Sequence, residues 1–254
     1  MLLSDKERLD IVNDNLSLIQ NTEGLTFGTD ALLLAGYVTG KHSRMLELGA
    51  GTGIISMLLL TRGKAERVTA LEIQEEYAAL IERNSVLNSL TDSLTVINTD
   101  LRDYKCSSEY DAVFTNPPYM RSDTGRSNLS DKKTVARHEV HGGIYDFLKC
   151  AARALRFGGS FYAVYRTDRL IDLIDAMRKT GIEPKRMTFV HADAKSEPSM
   201  ALIEGRRGGK CSLKVTRPLI IYTSEEHKDY TEDMNYIMNE GSFGKEYGIG
   251  NGRK

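Results

Sequence analysis

The chain lacks long hydrophobic runs, cysteine clusters and a large net charge. No segment approaches the apolar length of a membrane span, and residues 1–8 include acids and lack the apolar block of a signal peptide. The three cysteines, Cys106, Cys150 and Cys211, are odd in number and have no zinc-binding spacing. These absences predict a cytoplasmic protein that has no membrane segment and no metal.

No internal repeat or low-complexity tract divides the 254 residues. From residue 43 onwards, strand-like runs alternate with helix-like runs, which predicts an α/β fold with a largely parallel sheet. We expect one structural domain, in which a hairpin and helix at residues 1–42 cap the site of a core at residues 43–254.

Three glycines at alternate positions, Gly49, Gly51 and Gly53, separate a strand-like run (residues 43–48) from a helix-like run (residues 54–60). Glycine lets a backbone adopt positive φ and approach a ligand closely, as dinucleotide and S-adenosylmethionine sites both require. Dinucleotide sites prefer the spacing G-x-G-x-x-G, whereas this turn reads G-x-G-x-G. The spacing favours S-adenosylmethionine.

Acidic residues end three successive strand-like runs. Glu47, two positions before the first glycine, suits a cationic methionine group better than a phosphate. Glu72, beside Ile73, stands where an acid that binds ribose hydroxyls is expected. Asp100, with the amide of Leu101, is placed to bind adenine. Each acid alone could be a solvated carboxylate, but the carboxyl ends of parallel strands meet at one crevice, so the series predicts one site.

The tetrapeptide Asn116-Pro117-Pro118-Tyr119 follows a further strand-like run. A planar NH2 group is a poor nucleophile because its lone pair is delocalised. The Asn116 side-chain oxygen and the Pro117 carbonyl can both accept its hydrogens, the prolines fix the backbone, and the Tyr119 ring offers a stacking face. The motif therefore predicts an acceptor site for methylation of an amine. The alternative is a turn that ends a strand.

Basic residues are concentrated in two segments, although the net charge is only −1. The first segment contains no acid and predicts a flexible phosphate clamp; it comprises Arg206, Arg207, Lys210, Lys214 and Arg217. The second follows the acceptor motif and includes Asp123 and Asp131; its basic residues are Arg121, Arg126, Lys132, Lys133 and Arg137. Both segments could instead be ordinary solvated loops.

The spacing of His138 and His141 around Glu139 could place two metal ligands on one helical face. No third ligand is at hand, and methyl transfer from a sulfonium needs no metal, since positioning and electrostatics suffice. We therefore expect no metal site. Arg137 keeps its charge, so we expect it to close over the site or contact RNA rather than take a proton.

The glycine turn, Glu72, Asp100 and the Asn116-Pro117-Pro118-Tyr119 motif resemble those of class I S-adenosylmethionine-dependent methyltransferases that act on exocyclic or amide nitrogens. Residues 24–35, 136–139 and 217–222 resemble the bacterial tRNA(Val) adenine-37 N6-methyltransferase family. The resemblance implies a class I Rossmann-like fold with a doubly wound, mostly parallel seven-stranded sheet and an antiparallel last strand. It also implies that Phe27, Gly28, Thr29 and Asp30 line the cofactor pocket, and that the substrate is an adenine of the tRNA anticodon loop. We expect the protein to be a monomer.

Other functions remain open on the residues alone. The same acceptor motif could serve a protein glutamine amide, but such enzymes carry a large helical N-terminal domain, whereas 42 residues precede the first core strand here. An adenine or guanine of rRNA or DNA is also possible. A dehydrogenase would explain the glycine turn and Glu72 but not the acceptor motif, and a cofactor-binding protein without catalysis would not need that motif.

Overall fold

The computed structural model describes residues 3–24, 27–118 and 143–248. The chain begins with an antiparallel hairpin of two strands, β1 (Glu7–Asn13) and β2 (Leu16–Asn21). A nine-stranded sheet follows, formed by β3 (His42–Leu48), β4 (Ala65–Glu72), β5 (Leu94–Asn98), β6 (Tyr110–Thr115), β7 (Leu155–Arg166), β8 (Ile182–His191), β9 (Pro198–Arg207), β10 (Lys214–Val215) and β11 (Leu219–Ile220).

The seven long strands of the sheet lie in the order β5-β4-β3-β6-β7-β9-β8. All are parallel except β9, which runs antiparallel to both of its neighbours. This confirms the predicted doubly wound sheet of seven strands with an antiparallel last strand. The two-residue strands β10 and β11, which the sequence did not predict, pair with the outer side of β8. The parallel strands end at one edge of the sheet, the carboxyl edge, and begin at the opposite amino edge.

The described residues form six α-helices: α1 (Thr29–Tyr37), α2 (Ile54–Thr61), α3 (Glu75–Leu87), α4 (Ile144–Ala154), α5 (Leu170–Lys179) and α6 (Glu232–Glu240). Successive strand residues point to opposite faces, so Met45 joins one hydrophobic core and Leu46 the other. The Met45 side is covered by α1, α2, α3 and α6, and the Leu46 side by α4 and α5. Cores on both faces explain the nearly continuous apolar strands.

The N-terminal hairpin is held against α3 through Asn84, which is buried. The Asn84 side chain accepts a hydrogen bond from the Ile19 amide at 2.7 Å and donates one to the Ile19 carbonyl at 3.0 Å. Leu16 and Leu18 of β2 belong to the same core as Met45. The hairpin is thereby packed against α2 and α3, and it shares the core on that side of the main sheet.

Gly158 and Gly159 lie inside β7, where the register with β6 is irregular and Gly158 has a φ of 77°. They accommodate a bulge. Arg206 and Arg207 were expected in a flexible loop, but they are the last residues of β9. Across the described ranges, no helix is long and apolar enough to cross a membrane.

Candidate functional site

The three-glycine turn joins the carboxyl end of β3 to α2. Gly49, Gly51 and Gly53 all have positive φ, at 68°, 55° and 75°. A Cβ on Gly53 would lie 2.8 Å from the Ile81 side chain, so this position requires glycine for space as well as for conformation. A Cβ on Gly51 would meet nothing within 4 Å, so the middle of the turn faces open space. A ligand can approach the backbone there.

The Glu72 carboxylate, at the end of β4, fastens this turn. Its Oε2 accepts from the Gly51 amide at 2.7 Å, and its Oε1 accepts from the Gln74 amide at 2.9 Å. The side chain is only 4% exposed, which makes these charge-assisted bonds strong. The structure therefore brings Glu72 to the glycine turn, as predicted, and each oxygen retains lone-pair capacity for a ribose hydroxyl. Ile73 follows it, partly buried.

Glu47 lies deeper than the sequence suggested. It is 1% exposed, and its carboxyl group accepts a hydrogen bond from the Ser56 hydroxyl in the first turn of α2. Burial raises the pKa of Glu47 to about 8, and the charge of Glu72 contributes in the same direction. Glu47 joins β3 to α2 behind the glycine turn, while its predicted contact with a methionine group stays a prediction.

Asp100 lies just after β5 and pairs with Arg102. The Arg102 amide donates to Asp100 Oδ1 at 2.8 Å, and the Arg102 Nε lies 3.0 Å from both carboxylate oxygens. The Arg102 side chain is 43% exposed, so this ion pair can rearrange at little cost when a ligand amino group arrives. Leu101, whose amide was predicted to bind adenine, is buried beside it.

Asn98 and Gln20 also shape the site, and sequence reasoning missed both. The Asn98 side chain donates to the carbonyls of Glu72 and Ile73 at 2.9 and 3.1 Å, which joins the ends of β5 and β4. The buried Gln20 accepts from the Phe27 amide at 3.1 Å. A polar residue that ends an apolar run is the only sequence signal for Asn98.

Asn116 begins the acceptor motif at the carboxyl end of β6. Its side-chain Nδ2 donates to Asp30 Oδ2 at 2.8 Å, although 86 residues separate the two positions. The preceding Thr115 donates its hydroxyl to the Leu48 carbonyl at 2.8 Å, so the motif is fastened to the strand that leads into the glycine turn. Pro117 is buried and Pro118 is exposed. Tyr119 lies outside the described residues.

The start of α1 reaches the same edge. Phe27 packs on the core of the α1 side, Gly28 caps the helix, and Thr29 and Asp30 form its first turn. Asp30 thus brings the first turn of α1 into contact with Asn116. The structure unites the glycine turn, Glu72, Asp30 and Asn116 at one edge of the sheet.

A cavity of about 600 Å³ lies on the other side of the acceptor motif, between α4 and α5. Arg169 and Asp172 face it as an ion pair with a 2.6 Å separation. Its lining also includes Pro117, Pro118, Tyr145 and Tyr165. This volume is in the range of small-ligand pockets.

The predicted phosphate clamp lies at the amino edge, away from these groups. Because β9 runs antiparallel, its carboxyl end, with Arg206 and Arg207, lies where the parallel strands begin. The Arg206 guanidinium donates to the Gly158 carbonyl at 2.9 Å, and that of Arg207 to the Thr180 carbonyl at 2.8 Å. Lys210 is exposed beyond them. Arg137 lies outside the described residues.

Among the described residues, no group of three or more His, Cys, Asp or Glu side chains could hold a metal ion. His138, Glu139 and His141 lie outside the described residues.

Comparison with known proteins identifies a family and several relatives of this chain. The methyltransferase small domain family model matches residues 21–179. The tRNA1(Val) (adenine(37)-N6)-methyltransferase of Bacteroides thetaiotaomicron is 31% identical over 212 residues, which cover 81% of this chain and 88% of the relative. The enzyme of the same name from Pedobacter heparinus is 29% identical over 171 residues, covering 66% and 72%.

Among solved structures, a predicted O-methyltransferase from Agrobacterium tumefaciens superposes with a TM-score of 0.67. It covers 85% of this chain and 98% of its own, and at 22% identity the likeness concerns the fold. The chain belongs to the methyltransferase small domain family, which confirms the methyltransferase predicted from its glycine turn and acceptor motif.

Proposed function

We propose that this protein transfers the methyl group of S-adenosylmethionine to the N6 amine of adenine 37 in the anticodon loop of tRNA1(Val). The observation that carries the proposal is Asn116, held by Asp30 at the carboxyl end of β6 on the same edge as the glycine turn. The names of the relatives from Bacteroides thetaiotaomicron and Pedobacter heparinus supply the tRNA and the nucleotide.

The donor fits the residues present. The open space at Gly51 lets a ligand lie against the backbone, and the buried Glu72 carboxylate beside it suits ribose hydroxyls. S-adenosylmethionine, when bound, supplies an electrophilic methyl group that needs no metal for its transfer. The Glu72 carboxylate adds negative charge beside the turn against which a cationic donor would lie.

The acceptor chemistry belongs to Asn116 and Pro117. The Asn116 side-chain oxygen and the Pro117 carbonyl accept the two hydrogens of an adenine amine, and the amine lone pair is then directed towards the donor. As positive charge develops on the attacked nitrogen, these two dipoles stabilise it more than they stabilise the neutral amine, and the methylated nitrogen then releases one proton to water. An adenine flipped out of its loop can reach this position, and the cavity beside Pro118 has room for a neighbouring group.

The N-terminal segment serves as a cap in this proposal. Residues 1–42 supply Gln20, which holds Phe27, and Asp30, which holds Asn116, while residues 43–254 supply the sheet and the acceptor motif. The protein acts as a monomer in the cytoplasm, where its RNA substrate is found. Three free cysteines suit a reducing compartment.

Nucleoside mass spectrometry of tRNA from cells with and without the gene tests the proposal. We expect N6-methyladenosine to disappear from tRNA1(Val) alone, and purified protein with S-adenosylmethionine to restore it. A tRNA1(Val) transcript carrying guanine at position 37 should accept no methyl group. Unchanged tRNA with methylation of a protein glutamine, rRNA or DNA instead would overturn the proposal.

A further inference from the structure

The carboxylate of Asp30 has donors on both of its oxygens. Oδ2 accepts from Asn116 Nδ2 at 2.8 Å, and Oδ1 accepts from the Ala31 amide at 2.9 Å. The bond to Asn116 joins α1 to the acceptor motif. Asp30 therefore touches the residue that is expected to bind the substrate amine.

An asparagine amide has two ends that occupy nearly the same space, and only its hydrogen-bond partners decide which end points where. An ionised carboxylate can accept but cannot donate. Beside Asp30, Asn116 must therefore turn its NH2 group towards α1, which places its oxygen on the opposite branch of the amide. The acceptor chemistry needs that oxygen to face the substrate amine, because a second NH2 group there would repel it.

Asp30 is itself held on a rigid element. At the far end of α1, the Lys64 ammonium donates to the carbonyls of Ala35, Gly36 and Val38 at 2.9, 2.9 and 2.8 Å. Three donors thus satisfy three carbonyls at the end of the helix. Leu33 and Leu34 are fully buried in the core between. A carboxylate in the first turn of a helix fixed at its other end cannot follow Asn116 if the amide rotates.

We infer that Asp30 is a positioning residue that sets the orientation of the Asn116 amide, so that the oxygen and not the nitrogen of Asn116 meets the substrate amine. The inference rests on the proposed function for the identity of that amine. It differs from the role implied by family resemblance, in which Asp30 lines the cofactor pocket. The two roles predict different kinetic effects.

Asp30→Asn is the informative substitution because it preserves shape. One of the two oxygens becomes an NH2 group, which then faces either the Ala31 amide or the Asn116 NH2, both of them donors. The clash between two NH2 donors is relieved when the Asn116 amide rotates by half a turn and presents its oxygen to residue 30. We expect kcat to fall about 10- to 100-fold, with the KM for tRNA and the Kd for S-adenosylhomocysteine within about threefold of wild type.

A double-mutant cycle with Asn116→Ala separates positioning from any direct action of Asp30. If Asp30 acts through Asn116, Asp30→Asn should change single-turnover methylation by less than about threefold once Asn116 is alanine. The same fold loss in both backgrounds would overturn the inference, as would a loss confined to cofactor affinity. Asp233→Asn is the matched control, an aspartate in the first turn of α6 that bonds Arg217 and Tyr247, and should leave kcat unchanged.

A readout without RNA distinguishes failure of the inference from failure of the proposed function. In 15N-labelled protein, the Asn116 NH2 signals are identified by their absence from Asn116→Ala. We expect these protons to exchange with solvent about tenfold faster in Asp30→Ala than in wild type, because the bond to Asp30 Oδ2 is lost. Equal exchange rates would refute the positioning role even if another substrate proved correct, whereas the absence of tRNA methylation by the wild-type protein would refute only the substrate.

Discussion

The backbone amide of Gly51 donates to Oε2 of Glu72 at 2.7 Å, so the turn after β3 and the end of β4 form one unit. The other oxygen of the carboxylate holds the Gln74 amide at the start of α3. A single buried side chain thus fixes the turn that approaches the cofactor and carries the acid predicted to bind its ribose.

Glu72→Gln should weaken cofactor binding even though it preserves size. One carboxylate oxygen becomes an NH2 group facing an amide donor, so the glycine turn or the start of α3 must shift. We expect the Kd for S-adenosylhomocysteine, measured by calorimetry, to rise about 5- to 100-fold, which corresponds to about 1–3 kcal/mol. Glu66→Gln, at an exposed position in the same strand, should bind like wild type. A Kd for Glu72→Gln within twofold of wild type would contradict this role.

Glu47 should make stability depend on pH. Its folded-state pKa is raised by burial from 4.5 to about 8, so the folded protein binds the proton more tightly than the unfolded chain does. The contribution is complete below the ordinary pKa and is lost as pH rises towards 8, with a slope of at most about 1.4 kcal/mol per pH unit. Urea unfolding of wild type and Glu47→Gln should show the wild type losing stability relative to the variant across this window.

The control for Glu47 is Glu76→Gln, which removes an exposed acid from α3. The free energy of unfolding of Glu76→Gln should change with pH in parallel with that of the wild type, so the difference between the two proteins should be the same at every pH. If the unfolding free energies of wild type and Glu47→Gln instead changed in parallel with pH, the pKa of Glu47 would not be raised in the folded protein. Water or a cation would then have to reach its carboxyl group.

Local sequence signals were sufficient for the backbone of the site. Each of these features is local: the glycine turn, each acid at a strand end and the acceptor motif can be recognised from neighbouring residues of the chain. Hydrophobic periodicity and glycine spacing are informative over such short distances. The order of strands then follows from alternating elements and the family resemblance. This is why Glu72 and Asn116 fall at the predicted edge.

Contacts between distant elements were not accessible to the same reasoning. The Asp30–Asn116 bond joins residues 86 positions apart, and no sequence pattern near either residue indicates the contact with the other. Arg206 and Arg207 lie at the amino edge because β9 runs antiparallel to its neighbours. A basic segment without acids has the same sequence pattern in a loop and at the end of a strand, so the sequence could not predict this location. In the sequence, Gly158 of the β7 bulge cannot be distinguished from a glycine that ends a helix, because glycine is common in both β-bulges and helix ends.

The two basic segments should differ in their effect on RNA binding. Lys132 and Lys133 follow the acceptor motif in the chain, whereas Arg206 and Arg207 lie at the amino edge and bond backbone carbonyls. Changing both lysines to Ala should reduce the slope of log affinity for tRNA against log salt by about 1 to 2. Arg206→Ala with Arg207→Ala should leave the slope unchanged. A flatter slope for the arginine pair would restore the phosphate clamp predicted from the sequence and extend the RNA to that edge.

Asn116→Ala should impair the chemical step rather than binding. The ground-state amine loses one weak hydrogen-bond acceptor, but the positive charge that develops on the attacked nitrogen loses a dipole fixed by Asp30. We therefore expect kcat to fall about two to three orders of magnitude, with affinities for S-adenosylhomocysteine and tRNA within about threefold. Tyr119→Ala should also raise the KM for tRNA, because stacking on the ring holds the flipped base before reaction. Single-turnover methylation at saturating enzyme is the decisive measurement. If saturated Asn116→Ala methylates as fast as wild type, the motif is only a turn that ends β6, and the acceptor must bind elsewhere.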